Sequence, residues 1–354
     1  MSQSAFEVLE AGFLTTVQDA GRTGYRRFGM PLSGAMDQYA LAVGNTLLGN
    51  LPGDAAVECT VVGPSLRFRQ TTWFSVTGAD CLPTLNGRPV PTWQACLAPE
   101  GSTLALGAAT QGTRVYVAVR GGVDVQPFMG SRSTCTIVSV GGFKGRPLQP
   151  GDIVPVGPPA FPPGALPEDT VVPLPDGWSP RQYAGLTHVR VVLGPQDYYF
   201  TEEAKATLLS SPYDVTTGSN RMGYRLNGPP LTHIKGADIV SDGTPFGGIQ
   251  VPGHGQPIVL MADCQTTGGY SKIACVTSSD LPLLAQAKPG DSITFSAVTV
   301  AEAHEERRRM MAEIGGLRKA IAANGEARRG NARRLGVRIR GRQYGVLIEP
   351  RQDS

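Results

Sequence analysis

The sequence of 354 residues lacks several features that mark common classes of protein. Charged residues make up only 17%, and the four histidines are isolated, without the spacing of metal ligands, so no metal site is predicted. No apolar run reaches the roughly 18 residues of a membrane-spanning helix, and the N-terminus has no basic segment followed by an apolar one. We therefore expect a cytoplasmic protein without a membrane anchor.

The sequence also lacks closely spaced cysteine pairs, and the residues before 302 have no excess of basic residues. The six cysteines are spread out with no Cys-x-x-Cys pair, which is typical of reduced and mostly buried thiols. From residue 302 onward there are 13 Lys and Arg against 7 Asp and Glu, whereas the rest of the chain has 19 against 22. By charge only the tail could bind nucleic acid, and a solvated basic helix is favoured there, so no nucleic-acid partner is predicted.

Glycine and proline, by contrast, are abundant, with 45 and 29 residues. This mix favours many short strands and tight turns over long helices, and the length suggests about two domains. Short β-prone runs recur at spacings typical of a barrel or sandwich, and a Pro-Gly-Asp turn precedes a strand in each half. We predict a mainly β chain with a first β domain at 1–155, a Pro-rich connection at 156–184, a second β domain at 185–300 and a tail at 301–354.

Helical signals are few. Ser33 is placed to cap a first helix and Gly49 to end it, because apolar residues between them recur at helical spacing. Residues 201–209 form a second predicted helix capped by Thr201, and residues 280–287 form a third with Ser279 as its cap. The periodic positions of the first helix are Met36, Tyr39, Ala40, Val43 and Leu47.

The tail has its own pattern. Met310, Ile314, Leu317 and Ile321 lie 4, 3 and 4 residues apart, which predicts an amphipathic helix with a basic outer face. Alternating apolar residues on both sides of Gly341 predict a C-terminal hairpin. The sequence leaves open whether the helix packs on its own chain or on a partner.

Three polar stretches could bind a small ligand. In "VQDAGRTGYRRFGMPLSGAMD", Gln18 and Asp37 accompany arginines and glycines that allow close backbone approach, although composition favours an ordinary surface loop. In "MGSRSTCTIVSVGGFKGR", Arg132 lies among hydroxyl side chains that could surround an anion. Alternatively, these are ordinary polar residues at the edge of a strand. In "TTGSNRMGYRLNGPPL", Asn220 and Arg221 supply an amide and a planar cation that could bind a polar planar ligand. Alternatively, they belong only to a capped turn.

A fourth stretch, "LMADCQTTGGYSKIACV", changes abruptly from apolar to small polar residues. The apolar run predicts a strand buried on both faces, at whose end Asp263, Gln265, Thr266 and Thr267 emerge beside two glycines. Such a set could orient a carbonyl substrate and stabilise an oxyanion. The spacing of a Walker phosphate loop is absent, and Cys264 has no histidine nearby to act as its base.

Four motifs together carry a resemblance to a known family. They are "TTVQDAGRTGYRRFGMPLSGAMD", "AAVECTVVGPSLRF", "SNRMGYRLNGP" and "GGIQVPGHGQPIVLMADCQTTGGYSKIACVTSSDLPLLAQAKPGDSITF", and they lie within residues 6–300. The chain resembles the allophanate-hydrolase-subunit-2 family, also called the biotin-dependent carboxyltransferase family. Members include the C subunit of bacterial 5-oxoprolinase and part of the carboxyltransferase domain of urea carboxylase. The antagonist of Kip-type kinase inhibitors is also a member.

The resemblance implies two cyclophilin-like β-barrel domains and a heteromeric complex. The expected partners are a subunit 1-type protein (the B subunit of 5-oxoprolinase) on another chain, since no segment for it precedes Phe6, and possibly the A subunit of the same enzyme. The implied reaction is the ATP-dependent opening of 5-oxoproline to glutamate. Alternatives are carboxyl transfer from biotin to a urea-like nitrogen and a non-catalytic role as antagonist of a kinase inhibitor.

Both enzymatic reactions handle a small amide and need donors for an oxyanion. On motif position and residue chemistry, the expected catalytic residues are Asp263, Gln265 and Thr267. The expected substrate-binding residues are Gln18, Asp37, Arg132, Asn220, Arg221, Gln250 and Thr266.

Overall fold

The computed structural model describes residues 5–159, 171–172, 174, 177–183, 186–331, 333–339 and 342–348. Most of the predicted Pro-rich connection, including residues 160–170, lies outside these ranges. In the described residues the chain is mainly β with four α-helices, as the composition predicted. No helix in these ranges is long and apolar enough to cross a membrane.

The N-terminal strands form two six-stranded sheets around one core. Phe6, Leu66, Phe74, Val115 and their neighbours fill the space between the sheets. The sheet orders are β11-β1-β4-β9-β6-β7 and β12-β8-β5-β10-β3-β2, for strands β1 (Ala5–Glu10), β2 (Thr16–Gln18), β3 (Ala56–Thr60), β4 (Ser65–Phe68), β5 (Thr72–Asp80), β6 (Thr84–Leu85), β7 (Arg88–Pro89), β8 (Ala95–Ala98), β9 (Thr103–Ala105), β10 (Gln111–Val119), β11 (Ile153–Pro155) and β12 (Val171–Val172).

The second set of strands closes into a seven-stranded barrel. The barrel order is β13-β20-β17-β18-β15-β14-β21, and a parallel pairing of β13 with β21 closes it. β16 and β19 form a separate two-stranded sheet. The strands are β13 (Leu186–Leu193), β14 (Tyr213–Val215), β15 (Gly223–Asn227), β16 (Asp238–Gly243), β17 (Gly248–Gln250), β18 (Ile258–Leu260), β19 (Thr267–Tyr270), β20 (Lys272–Val276) and β21 (Ser292–Ala297).

The two Pro-Gly-Asp turns adopt the same local structure. In each, the aspartate side chain accepts the backbone N–H three residues earlier: Asp152 from Gln149 at 2.8 Å and Asp291 from Lys288 at 2.9 Å. Gly151 and Gly290 both have a positive φ, of 87° and 92°, which glycine adopts without steric cost. Each turn leads into a strand, β11 or β21, so equivalent local sequences produce equivalent turns in the two units.

The helices are α1 (Gln38–Leu47), α2 (Glu202–Ser210), α3 (Leu281–Ala285) and α4 (Val300–Asn331), besides two short 3-10 helices at Arg26–Phe28 and Asp197–Tyr199. Thr201 caps α2 as predicted, through a hydrogen bond from Ala204 N. The predicted cap of α1 was wrong: Asp37 accepts the N–H of Ala40, whereas Ser33 precedes the helix with a φ of 53°. Likewise Asp280, not Ser279, occupies the N-cap position of α3.

The C-terminal helix packs on its own chain. Ile314, Leu317 and Ile321 are buried in a cluster that also contains residues of α1. The Tyr39 hydroxyl donates to Glu313, and Glu306 lies 2.9 Å from Arg190 of β13. β22 (Arg333–Ile339) and β23 (Arg342–Ile348) then pair antiparallel, which confirms the predicted hairpin.

Candidate functional site

The glycine-rich loop between β2 and α1 joins the two β units. Ser33 N–H donates to the carbonyl of Ala262 at 2.9 Å, so the loop lies against the end of β18. Gly34 has a φ of 87°, and a Cβ there would lie 2.8 Å from the backbone of Gly21. Met36, from the same loop, enters the core of the barrel. The loop therefore carries its polar residues into the interface between the units.

At this interface lies a buried ion triad. Arg221 Nε donates to Asp263 Oδ2 at 2.8 Å, and Arg221 Nη1 pairs with Glu58 of β3. The third guanidinium nitrogen, Nη2, donates to Gly34 O at 2.7 Å. Burial disfavours the charged guanidinium, but the two carboxylates more than offset it, so the pKa of Arg221 is raised. The triad links β3 of one unit to the β14–β15 loop and the β18–β19 loop of the other.

The hydrogen bonds continue from the triad to Asp37. Tyr116 donates to Glu58 at 2.6 Å and accepts from Asp37 N at 2.8 Å. Asp37 Oδ2 accepts from Tyr183 and from Gln286, while Oδ1 caps α1. Burial raises the pKa of Asp37 although these hydrogen bonds favour its ionised form. All donors around this carboxylate belong to the protein.

Internal contacts hold five of the predicted site residues. Asp263, Arg221 and Asp37 are buried, their polar atoms bond to other protein groups, and none of the three lines the two clefts described below. Gln18 is also buried, and its amide donates to Thr134 O and Thr16 Oγ1. Arg132 pairs with Asp124 at 2.8 Å in the first unit. These contacts give the five residues a structural role, and their catalytic and substrate-binding roles stay predictions.

The other five candidates line two neighbouring clefts, one in the second unit and one between the two units. Three primary amides, from Asn220, Gln250 and Gln265, line the first, which we call the amide cleft and which has a volume of about 390 Å³. Apolar walls with a few convergent polar groups are typical of small-molecule sites. The remaining residues of its lining are Met222, Gly223, Arg225, Pro252, His254, Ile258, Leu260 and Tyr270.

Gln250 is the polar group that the amide cleft leaves unsatisfied. It is buried at the end of β17, and its Nε2 has no hydrogen-bond partner among the described residues. A methyl group on Gly268 would lie 2.6 Å from Gln250 Nε2 and 3.4 Å from Gln265 Nε2. Two amide groups thus converge beside Gly268, and the absence of a side chain there leaves them room. A buried unpaired donor is costly unless something supplies an acceptor.

The second cleft, which we call the arginine cleft, has a volume of about 650 Å³. Thr266 and Thr267, two of the predicted site residues, form part of its lining. Gln265 lies between the two clefts, because its carbonyl accepts from Arg26 while it also lines the amide cleft. The residues that line the arginine cleft are Arg26, Arg27, Gly29, Gly243, Thr244, Pro245, Thr266 and Thr267.

Two charged residues near the clefts, Arg26 and Lys272, were not among the predicted site residues. Arg26 crosses from the first unit to donate to the carbonyl groups of Thr244 and Gln265. Lys272 is fully buried, pairs in register with Gln250, and places Nζ 3.3 Å from Asp242 Oδ2. The signal for Lys272 was present, since a lysine in the apolar stretch "KIACV" must find a partner for its charge.

The structure also bears on Cys264 and on metal binding. Cys264 is buried, and this burial raises the pKa of its thiol although Arg26 lies nearby, which disfavours a nucleophilic thiolate. Cys275 is half-buried and the other cysteines are buried, and none forms a disulfide. Within the described ranges, no three His, Cys, Asp or Glu side chains are grouped as metal ligands.

Comparison with known proteins agrees with the motif resemblance. The family model for "Carboxyltransferase domain, subdomain A and B" matches residues 28–297. The chain is 38% identical to the C subunit of 5-oxoprolinase from Escherichia coli (strain K12), over 85% of this chain and 94% of that protein. The C subunit of 5-oxoprolinase from Haemophilus influenzae is 35% identical, over 89% and 98%. The crystal structure of Kluyveromyces lactis urea amidolyase superposes with a TM-score of 0.83 at 30% identity, over 90% of this chain and 20% of that one.

Proposed function

Because the chain belongs to the carboxyltransferase domain family, we propose that it is a subunit of an ATP-dependent 5-oxoprolinase and binds the cyclic amide of 5-oxoproline. One observation carries the choice within the family: the chain matches the bacterial C subunits over nearly their whole length. Urea amidolyase is matched over only a fifth of its chain. A subunit 1-type protein (the B subunit), and possibly the A subunit, completes the enzyme in the cytoplasm.

The amide cleft supplies the groups that such a substrate requires. The unpaired Gln250 Nε2 and the Gln265 amide donate to the lactam carbonyl, and both hydrogen bonds strengthen as negative charge develops on that oxygen. Asn220 Oδ1 already accepts from Met222 N at 2.8 Å, which leaves its amino group for the ligand. ATP supplies the free energy that drives ring opening in the complex.

The test uses a matched pair of glycine variants in the reconstituted complex. The chain is purified with the products of its neighbouring genes, and ATP-dependent glutamate formation from 5-oxoproline is measured. Gly268→Ala places a methyl group against Gln250 and should lower kcat/KM about 10-fold or more, the cost of one lost hydrogen bond. Gly269→Ala is the control, because a Cβ at this position would lie 3.6 Å from its nearest neighbouring atom. Neither Gly268 nor Gly269 has a left-handed φ, so backbone strain does not distinguish the two variants.

Several outcomes would count against the proposal. A verified complex with no turnover of 5-oxoproline would refute it and favour the regulatory role as an antagonist of a kinase inhibitor. Equal loss of activity in both glycine variants would remove the amide cleft from the reaction.

A second candidate is a carboxyltransferase that receives its carboxyl group from biotin. The superposition on urea amidolyase supports it. In that reaction the same amide donors would hold a ureido oxygen, and biotin would be attached to a separate carrier. Carboxylation of urea in the presence of a biotin carboxylase and a biotinylated carrier, without turnover of 5-oxoproline, would favour this candidate.

A further inference from the structure

The arginine cleft has the lining of an anion site. Arg26 and Arg27 supply two guanidinium groups, and Thr266 and Thr267 supply two hydroxyl groups. None of the eight residues that line the cleft is acidic. Guanidinium groups bind phosphate and carboxylate through paired, charge-assisted hydrogen bonds.

Part of this donor set is unused within the protein. Arg27 is exposed, and its guanidinium carbon lies 4.7 Å from the centre of the Phe28 ring, a contact that leaves its N–H groups available. In the portion of the chain that the structure describes, Arg27 forms no salt bridge, and the hydroxyl groups of Thr266 and Thr267 form no hydrogen bond. These groups can therefore bind a ligand without breaking an internal contact.

The positive charge of the cleft is not cancelled by a neighbouring carboxylate. Arg26 is held by carbonyl oxygens, which fix its position but leave its charge intact. Asp242 precedes Gly243 of the lining, but its carboxylate accepts from Lys272 at 3.3 Å and Gln196 at 3.1 Å. Asp242, the acidic residue next to the cleft lining in the sequence, is thus already paired with Lys272.

The arginine cleft also lies beside the amide cleft. Gln265 lines the amide cleft and the next two residues line the arginine cleft. Consecutive Cα atoms are about 3.8 Å apart, so the backbone at residues 265–267 passes directly from the lining of one cleft to the lining of the other.

We propose that the arginine cleft is an oxyanion-binding site, which holds a phosphate or carboxylate group next to the small amide. The pairing with an amide rests on the proposed function, whereas the anion site itself does not. Arg26 is the fixed cation of this site and Arg27 the adjustable one.

The test measures anion binding by the full-length chain alone, so that it does not depend on turnover. Isothermal titration calorimetry at low ionic strength compares inorganic phosphate, pyrophosphate and acetate. Arg27→Gln should weaken binding of the preferred anion about 10-fold, the loss of one hydrogen bond to a charged group. Thr267→Val, which removes an exposed hydroxyl at nearly constant shape, should weaken it to a smaller extent.

Arg88→Gln is the matched control, because Arg88 is an exposed arginine of β7 outside both clefts and its loss changes the net charge equally. We expect this variant to bind as wild type does. Tighter binding of pyrophosphate than of acetate identifies a phosphate site, tighter binding of acetate identifies a carboxylate site, and equal binding identifies a general oxyanion site. No binding by the wild-type chain, or equal weakening in Arg27→Gln and Arg88→Gln, would overturn the proposal.

Discussion

Asp263→Asn provides the sharpest test of how the interface is built. The buried Asp263 accepts from Arg221 through both carboxylate oxygens, at 2.8 and 3.3 Å, and Arg221 also pairs with the buried Glu58. The substitution removes one of two negative charges around a buried cation and replaces an acceptor by a donor. Breaking a buried ion pair costs about 3–5 kcal/mol, and we expect the low end, about 3 kcal/mol, because Glu58 remains.

The assay is thermal unfolding of the full chain. For a chain of 354 residues that unfolds as one unit, with an unfolding entropy of about 2.1 cal/mol/K per residue, a loss of about 3 kcal/mol corresponds to a decrease in Tm of roughly 4 °C. Asp238→Asn is the control, since Asp238 is an exposed carboxylate of the second unit. If Asp263→Asn unfolds at the wild-type temperature but abolishes turnover in the complex, the structural interpretation is refuted and Asp263 acts on the substrate.

Two further predictions concern stability. Arg146 lowers the pKa of Asp152 below its ordinary 3.8, so this pair stabilises the fold above that pH and the contribution disappears as the pH falls through the lowered value. Arg146→Gln should therefore lower Tm at pH 7, and this decrease should become smaller as the pH is lowered below 3.8, whereas a decrease that does not change with pH would contradict this. Leu317→Ala in α4 should cost about 2–4 kcal/mol in chemical denaturation, whereas Met311→Ala, at a position 52% exposed, should cost under about 0.5 kcal/mol.

Local sequence patterns predicted which segments form helices and strands better than they predicted which residues cap the helices. The Thr201 cap and the tail hairpin follow from patterns within a few residues of each element. Ser33 and Asp37 are both good cap residues, and the choice between them depends on the path of the preceding loop. That path is fixed by a contact with Ala262, more than 200 residues away, so the sequence near α1 could not reveal it.

The same distinction explains which candidate site residues line the two clefts. Gln265, Thr266 and Thr267 line clefts because they follow the end of a buried strand, which is a local feature. Asp263 comes from the same strand end, but Arg221, which pairs with it, and Glu58, the other carboxylate on Arg221, lie in other parts of the sequence. A polar residue at a strand end can bind a ligand or an internal partner, and only the tertiary structure separates the two.

The residues of the buried triad nevertheless affect the geometry of the two clefts. Arg26 of the first unit donates to the carbonyl of Gln265, which lies between the amide cleft and the arginine cleft. Its position depends on how the two units dock, and the buried triad of Glu58, Arg221 and Asp263 spans that junction. Loosening the triad should therefore move Arg26 relative to Gln265 and weaken both clefts together. Residues that never touch a ligand would in this way set the geometry of those that do.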